Sequence, residues 1–116
     1  MKATVVAHPI QGLIKYHGLK DARLRLPYHN SISACIGALS TTTTVETISS
    51  SKVDSLIING QSVCRLELDR VRFMPTRLRK MARSKRGFKI ASTNSVVGGK
   101  GLGFSASAFA ALGKAA

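Results

Sequence analysis

The amino-acid sequence predicts a mixed α+β chain, with a strand-rich first half followed by a helix, a strand, a glycine-rich loop and a second helix. Three observations predict it. β-Branched residues and turn signals crowd residues 1–63, where helix formers are scarce. From Cys64 onward the apolar period changes from two to between three and four. Four glycines then fall within residues 93–103, immediately before an alanine-rich stretch.

Residues 3–7 (ATVVA) read as a short buried strand and 12–18 (GLIKYHG) as a second, followed by a turn at Lys20-Asp21. Leu24 to Pro27 leads into 31–39 (SISACIGAL), where Ile32, Ala34 and Ile36 share one face and Ser31, Ser33 and Cys35 the other. The threonine run in 41–48 is expected to be an exposed strand, being both β-branched and polar. Residues 56–63 read as a hairpin about Asn59-Gly60, since both residues tolerate positive φ. A β-meander accounts for these strands economically. Leu68, Val71, Met74, Leu78 and Met81 then lay one apolar stripe on a helix. Pro75 is expected to kink this helix or divide it in two, and Gly87 to end it. Residues 88–92 (FKIAS) form a strand, 93–103 the glycine-rich loop, and 104–116 a helix.

A chain of 116 residues fits one domain, 1–116, with a real core. Apolar residues make up 44% of it, yet no apolar run approaches the roughly 20 residues that span a bilayer. The opening MKATVVAHPIQG is not a charged region followed by a secretory apolar run, so a cytoplasmic chain with no membrane partner is expected. Cys35 and Cys64 show no metal-ligand spacing and are expected to be small buried thiols. His8, His17 and His29 show no such spacing either.

The net charge of +13 is concentrated. Residues 65–89 hold ten Lys or Arg against Glu67 and Asp69, giving +8 of the total. A basic nucleic-acid-binding module is therefore the rival from another class. Against it, only Phe73 and Phe88 interleave the charges, there is no Trp, and no helix-turn-helix, RRM or zinc-finger spacing is present. A solvated basic face and no nucleic-acid partner are expected.

A strand, a glycine-rich loop and a helix opening on small residues make an anion site, because loop and first-turn N–H groups converge and the macrodipole adds positive charge. Gly98, Gly99, Gly101 and Gly103 let the backbone approach a phosphate closely, and Lys100 supplies charge. Around Ala106, the hydroxyls of Ser105 and Ser107 suit phosphate oxygen or Mg²⁺. The spacing is neither GxxxxGK[ST] nor GxGxxG. A connector whose small residues merely pack closely is the bland alternative.

The stretch 101–112, GLGFSASAFAAL, resembles the phosphate-loop motif GLASSASGFAAL of mevalonate diphosphate decarboxylases. IKYHG at 14–18, Asp21 and LPYHNSIS at 26–33 resemble that family's IKYWGKRD and LPxNxSxS. Thr41 to Val45 and Ile58-Asn59-Gly60 are similar to its TTV strand and L-N-G turn. In order and spacing, nearly the whole chain is similar to the mevalonate diphosphate and phosphomevalonate decarboxylases of the GHMP kinase superfamily. The resemblance implies a fold of the ribosomal protein S5 domain 2-like type. It also implies a carboxy-lyase of isoprenoid biosynthesis that uses ATP and Mg²⁺. ATP phosphorylates the tertiary hydroxyl of mevalonate 5-diphosphate or 5-phosphate, and loss of phosphate and CO₂ gives an isopentenyl product.

By motif position Lys15 resembles the active-site lysine, and Tyr16, with His17 and Lys20, the substrate-phosphate contacts. Gly98, Gly99, Lys100, Gly101, Gly103, Ser105, Ala106 and Ser107 fall on the ATP-phosphate loop, with Ser105 toward Mg²⁺. Asn30 and Ser31 match in a structural role. Four positions depart from the family: His17 replaces Trp, Leu19 replaces Lys with Lys20 alongside, Val97 replaces Pro, and Phe104 replaces Ser. Loss of a cation at Leu19 weakens a diphosphate more than a monophosphate, although both substrates stay open. The family's substrate-binding Arg and catalytic Asp lie downstream of the loop. The resemblance therefore implies an incomplete N-terminal part, inactive alone, with an inactive ATP-binding fragment as an alternative. A homodimer is the further partner expected of a full-length protein.

Overall fold

The computed structural model describes residues 1–49, 53–96 and 101–116. In chain order its elements are β1 (Lys2–Ala7), β2 (Ile10–Ile14), β3 (Leu19–Asp21), β4 (Leu26–Pro27), β5 (Ile32–Cys35), β6 (Thr41–Ile48), β7 (Ser55–Ile58) and β8 (Gln61–Ser62), then helices α1 (Arg65–Val71) and α2 (Phe73–Met81), strand β9 (Gly87–Asn94) and helix α3 (Phe104–Ala115). The mixed α+β class is as the sequence predicts, but the meander is not. The main sheet runs β1-β6-β9-β7-β8, so β9 inserts between two earlier strands, antiparallel to β6 and parallel to β7. A parallel neighbour needs a crossover, and α1 and α2 provide it.

Burial alternates along β6, with Thr41, Thr43 and Val45 inward and Thr42 and Thr44 on the other face. The expectation of an exposed strand there is corrected. A partner on each side makes β6 interior, and the period of two turns every second threonine into the core. In register with Val45 stand Ala3 of β1 and Ile90 of β9, with Leu56 of β7 beyond. Val45, Leu56, Phe88, Ile90, Leu112 and Ala115 form the buried cluster, with Leu68, Val71, Met74 and Leu78 packed against it. The predicted stripe is thus the packing face of the helices, except that Met81, beyond the last core contact, is exposed.

The break between the helices falls at Arg72 rather than at Pro75. Pro75 occupies the first turn of α2, where its missing N–H costs no internal hydrogen bond. α2 ends at Met81, Arg83 adopts a positive φ of 47°, and Gly87 opens β9 instead of closing the helix. The Lys20-Asp21 turn is likewise a strand end, the turn itself following it as Asp21 Oδ1 accepts the Leu24 N–H at 2.8 Å. Asn59-Gly60 makes the two-residue hairpin turn at φ 50° and 80° between paired Ile58 and Gln61. Both cysteines are free thiols and exposed, correcting the expectation of burial.

One charged lock ties α2 to the sheet. Arg79 donates to both oxygens of Asp54 at 2.7 and 3.0 Å, and the Phe88 N–H donates to the same carboxylate at 3.0 Å. The Asp54 hydrogen bonds hold the Arg79 guanidinium above its ordinary pKa.

Candidate functional site

Two short ribbons sit beside the main sheet, β2 paired with β5 and β3 with β4. β2 carries the first sequence motif toward the start of α3. Gly103, the N-cap of α3, has φ 75° and lies against the Ile10 carbonyl with no space for a Cβ. One residue along β2, the Gln11 side-chain amide donates to the Gly101 carbonyl at 3.2 Å, joining positions 90 apart in sequence. At Gly12 a Cβ would meet Cγ and Cε of Lys15 at 3.0 Å, so the missing side chain leaves room for the lysine stem.

These contacts close a cleft of about 850 Å³. Gln11, Gly12, Lys15 and Tyr16 line it from β2 and the residues that follow, and Gly101, Gly103, Phe104 and Ser105 from the opposite wall. Ser31 and Ser33 complete it. The structure therefore brings Lys15 and Tyr16 together with Gly101, Gly103 and Ser105. His17 and Lys20 are exposed and are not among the lining residues, nor is exposed Ala106. Gly98, Gly99 and Lys100 lie outside the described residues. Ser107 faces the sheet at 1% exposure, its hydroxyl 3.0 Å from the Phe104 carbonyl and 2.6 Å from the Thr41 hydroxyl.

Sequence reasoning missed Gln11, whose role is visible only through a contact far along the chain. It also gave no site role to Ser31 or Ser33. Their alternation had already placed them on one face of the 31–39 stretch, opposite Ile32 and Ala34.

A second cavity of about 250 Å³ lies between α1, α3 and the sheet. Leu56, Ile58, Val71, Ile90 and Leu112 give it apolar walls, and Ser92 and Asn94 contribute polar groups. Phe104 and Ser105 line both spaces, so the first turn of α3 is their common wall. Among the described residues that turn has no side-chain cap, and Gly103 offers only its carbonyl, which accepts the Ala106 N–H at 3.1 Å. Its remaining first-turn N–H groups suit an anion, which would take the place of the absent cap.

Residues 7–116 match the family model described as the diphosphomevalonate decarboxylase-like N-terminal domain. A phosphomevalonate decarboxylase of Haloferax volcanii is 43% identical over 115 residues, covering 99% of this chain and 36% of that protein. Among solved structures, mevalonate diphosphate decarboxylase from Staphylococcus aureus superposes with a TM-score of 0.81 at 34% identity, over 97% of this chain and 34% of that one. The mevalonate diphosphate decarboxylase from Enterococcus faecalis, described with a mevalonate diphosphate mediated ATP binding mechanism, gives a TM-score of 0.79 at 32% identity, over 96% and 35%. The chain spans about a third of the length of these relatives.

Proposed function

The chain belongs to the diphosphomevalonate decarboxylase-like family, whose N-terminal domain it matches, and on that premise we propose that it forms the phosphate-handling part of an ATP-dependent decarboxylase of a mevalonate phosphate. The observation that carries this reading is the cleft in which Lys15 and Tyr16 meet Gly101, Gly103 and Ser105. It joins the two family motifs, separated by most of the chain, across one space.

The residues fit a nucleotide phosphate. Gly101 and Gly103 turn the backbone at φ 82° and 75°, a shape open chiefly to glycine, and the uncapped α3 turn presents donors and partial positive charge. Ser105 is exposed on the wall shared with the smaller, mostly apolar cavity, where the nucleoside base is proposed to sit beside the phosphates. The Ser105 hydroxyl suits a phosphate oxygen or Mg²⁺. When bound, ATP supplies the phosphoryl group that turns a tertiary hydroxyl into a leaving group. Lys15 holds a fixed positive charge against the phosphates, the contribution that phosphoryl transfer chiefly asks of a protein. Tyr16 and Ser31 offer hydroxyls to orient the substrate.

Residues 1–116 are proposed to act as the N-terminal domain of that enzyme, with a monophosphate preferred because Leu19 carries no charge. The decisive experiment measures ATP-dependent CO₂ release from mevalonate 5-phosphate by the full-length protein. Lys15→Ala and Ser105→Ala should each lower it at least about tenfold. Unchanged turnover in both variants would remove the proposed site.

A further inference from the structure

Two serines two positions apart on a helix point about 200° from one another. On α3, Ser105 lines both cavities, whereas Ser107 turns to the sheet and is buried against Thr41 at the start of β6. Thr41 is fully buried, its hydroxyl donating to Asn94 Oδ1 of β9 at 2.9 Å and lying 2.6 Å from that of Ser107. Ser107 in turn reaches the Phe104 carbonyl at 3.0 Å. Two hydroxyl protons serve these three contacts: with Thr41 donating to Asn94, the Ser107 proton is the one available to the 2.6 Å contact with Thr41, and the Phe104 carbonyl shares it at the longer distance. Directional hydrogen bonds in a dry site resist rotation far more than apolar contact does.

The rest of the interface shares that task unevenly along the helix. The sequence of α3, FSASAFAALGKA, is dominated by small side chains; Phe104 is buried at its first residue, and the remaining apolar burial, through Ala111, Leu112 and Ala115, lies toward its far end. Small residues present few ridges to set the rotation of a helix on a sheet. At the N-terminal end the sheet beneath α3 is polar, with Thr41, Thr43, Ser92 and Asn94 on the buried face. The pin sits where orientation matters to the cleft.

We infer that Thr41 is a positioning residue for the phosphate cradle: through Ser107 it fixes the rotation of α3, and so aims Ser105 and the first-turn N–H groups into the cleft. The inference rests on the proposed nucleotide site and assigns Ser107, two residues from the ligand-facing serine, to the anchor rather than to the ligand.

The test uses the full-length protein with Thr41→Val, which keeps the shape and removes the hydroxyl, Thr41→Ser, which keeps the hydroxyl, and Ser107→Ala. ATP–Mg affinity by calorimetry, separate KM values for ATP and mevalonate 5-phosphate, and thermal midpoints are compared. Thr41→Val and Ser107→Ala should each weaken ATP binding about tenfold, the factor carried by one directional buried hydrogen bond, and the double variant should fall no further. Thr41→Ser should stay within about twofold of wild type, and the mevalonate-phosphate KM should be unmoved. Lowered midpoints with unchanged ATP affinity, or equal losses for both substrates, would overturn the inference. Should Thr41→Val fail to fold, Ser107→Ala decides, because it leaves the Thr41–Asn94 bond in place. Wild-type protein that binds no ATP overturns the proposed function and this inference together. Binding that every variant retains overturns the inference alone.

Discussion

Gly103 stands against the carbonyl oxygen of Ile10 so closely that no side-chain carbon fits between them. The obstacle is backbone rather than a flexible side chain, and Gly103 also has φ 75°. Gly103→Ala should therefore destabilise the fold by at least about 2 kcal/mol. Gly101 has a similar φ of 82°, but among the described residues nothing stands within 4 Å of a Cβ there, so Gly101→Ala should cost only about 1 kcal/mol. Denaturant melts of the two variants check the ordering, and equal costs would show that conformation, not the Ile10 contact, sets the position.

Leu19 sits on β3 where the resembled motif carries a lysine. A monophosphate should have the higher kcat/KM in the wild-type full-length protein, and Leu19→Lys should shift the preference toward the diphosphate by roughly five- to tenfold. Parallel kinetics with both substrates check this. A wild-type preference for the diphosphate would show that Lys20 supplies the cation instead.

The Asp54–Arg79 lock answers to charge and to shape. Asp54→Ala orphans a guanidinium and the Phe88 N–H, and should cost about 3 kcal/mol in a chemical melt. Arg79→Lys should also destabilise, because a single ammonium cannot make the paired contact to both carboxylate oxygens. Since the Arg79 pKa is raised, this guanidinium's contribution is complete below the ordinary arginine range and fades only as pH climbs above it. Melts from pH 6 to 9 should show no loss traceable to Arg79.

The basic face should behave as solvated surface. Of its cations, Arg79 is committed to Asp54, and Arg72 pairs with Asp69 at 2.8 Å. Duplex and single-stranded DNA should bind weakly and dissociate in moderate salt. Submicromolar, sequence-preferring binding at physiological salt would reverse this reading.

Much of this was legible in the sequence wherever a residue's chemistry acts locally. Asn59-Gly60 announced its turn because positive φ is a property of those two residues, and the stripe from Leu68 to Leu78 announced its packing face through its period. Motif position singled out Lys15 and Ser105, and both line one cleft. Thr41 to Ile48 was misjudged because a threonine run says nothing about neighbours. Partners at 2–7 and 87–94 make it interior. His17 and Lys20 shared a motif with Lys15 but are exposed and are not among the residues that line the cleft.

The placement of β9 has a consequence for how the chain comes to be folded. Synthesis delivers β6 and β7 first, yet the strand that joins them, Gly87–Asn94, emerges roughly forty residues after β6 is complete. Until then the two facing edges, including the partners of Ile90, have their backbone groups open to water or to one another. Pairing β6 with β9 closes a long loop, so assembly of the sheet is governed by non-local contacts and is slow for a chain of this size. A nascent chain halted before residue 87 lacks its central strand and presents two unpaired edges, the condition under which growing chains aggregate or recruit chaperones.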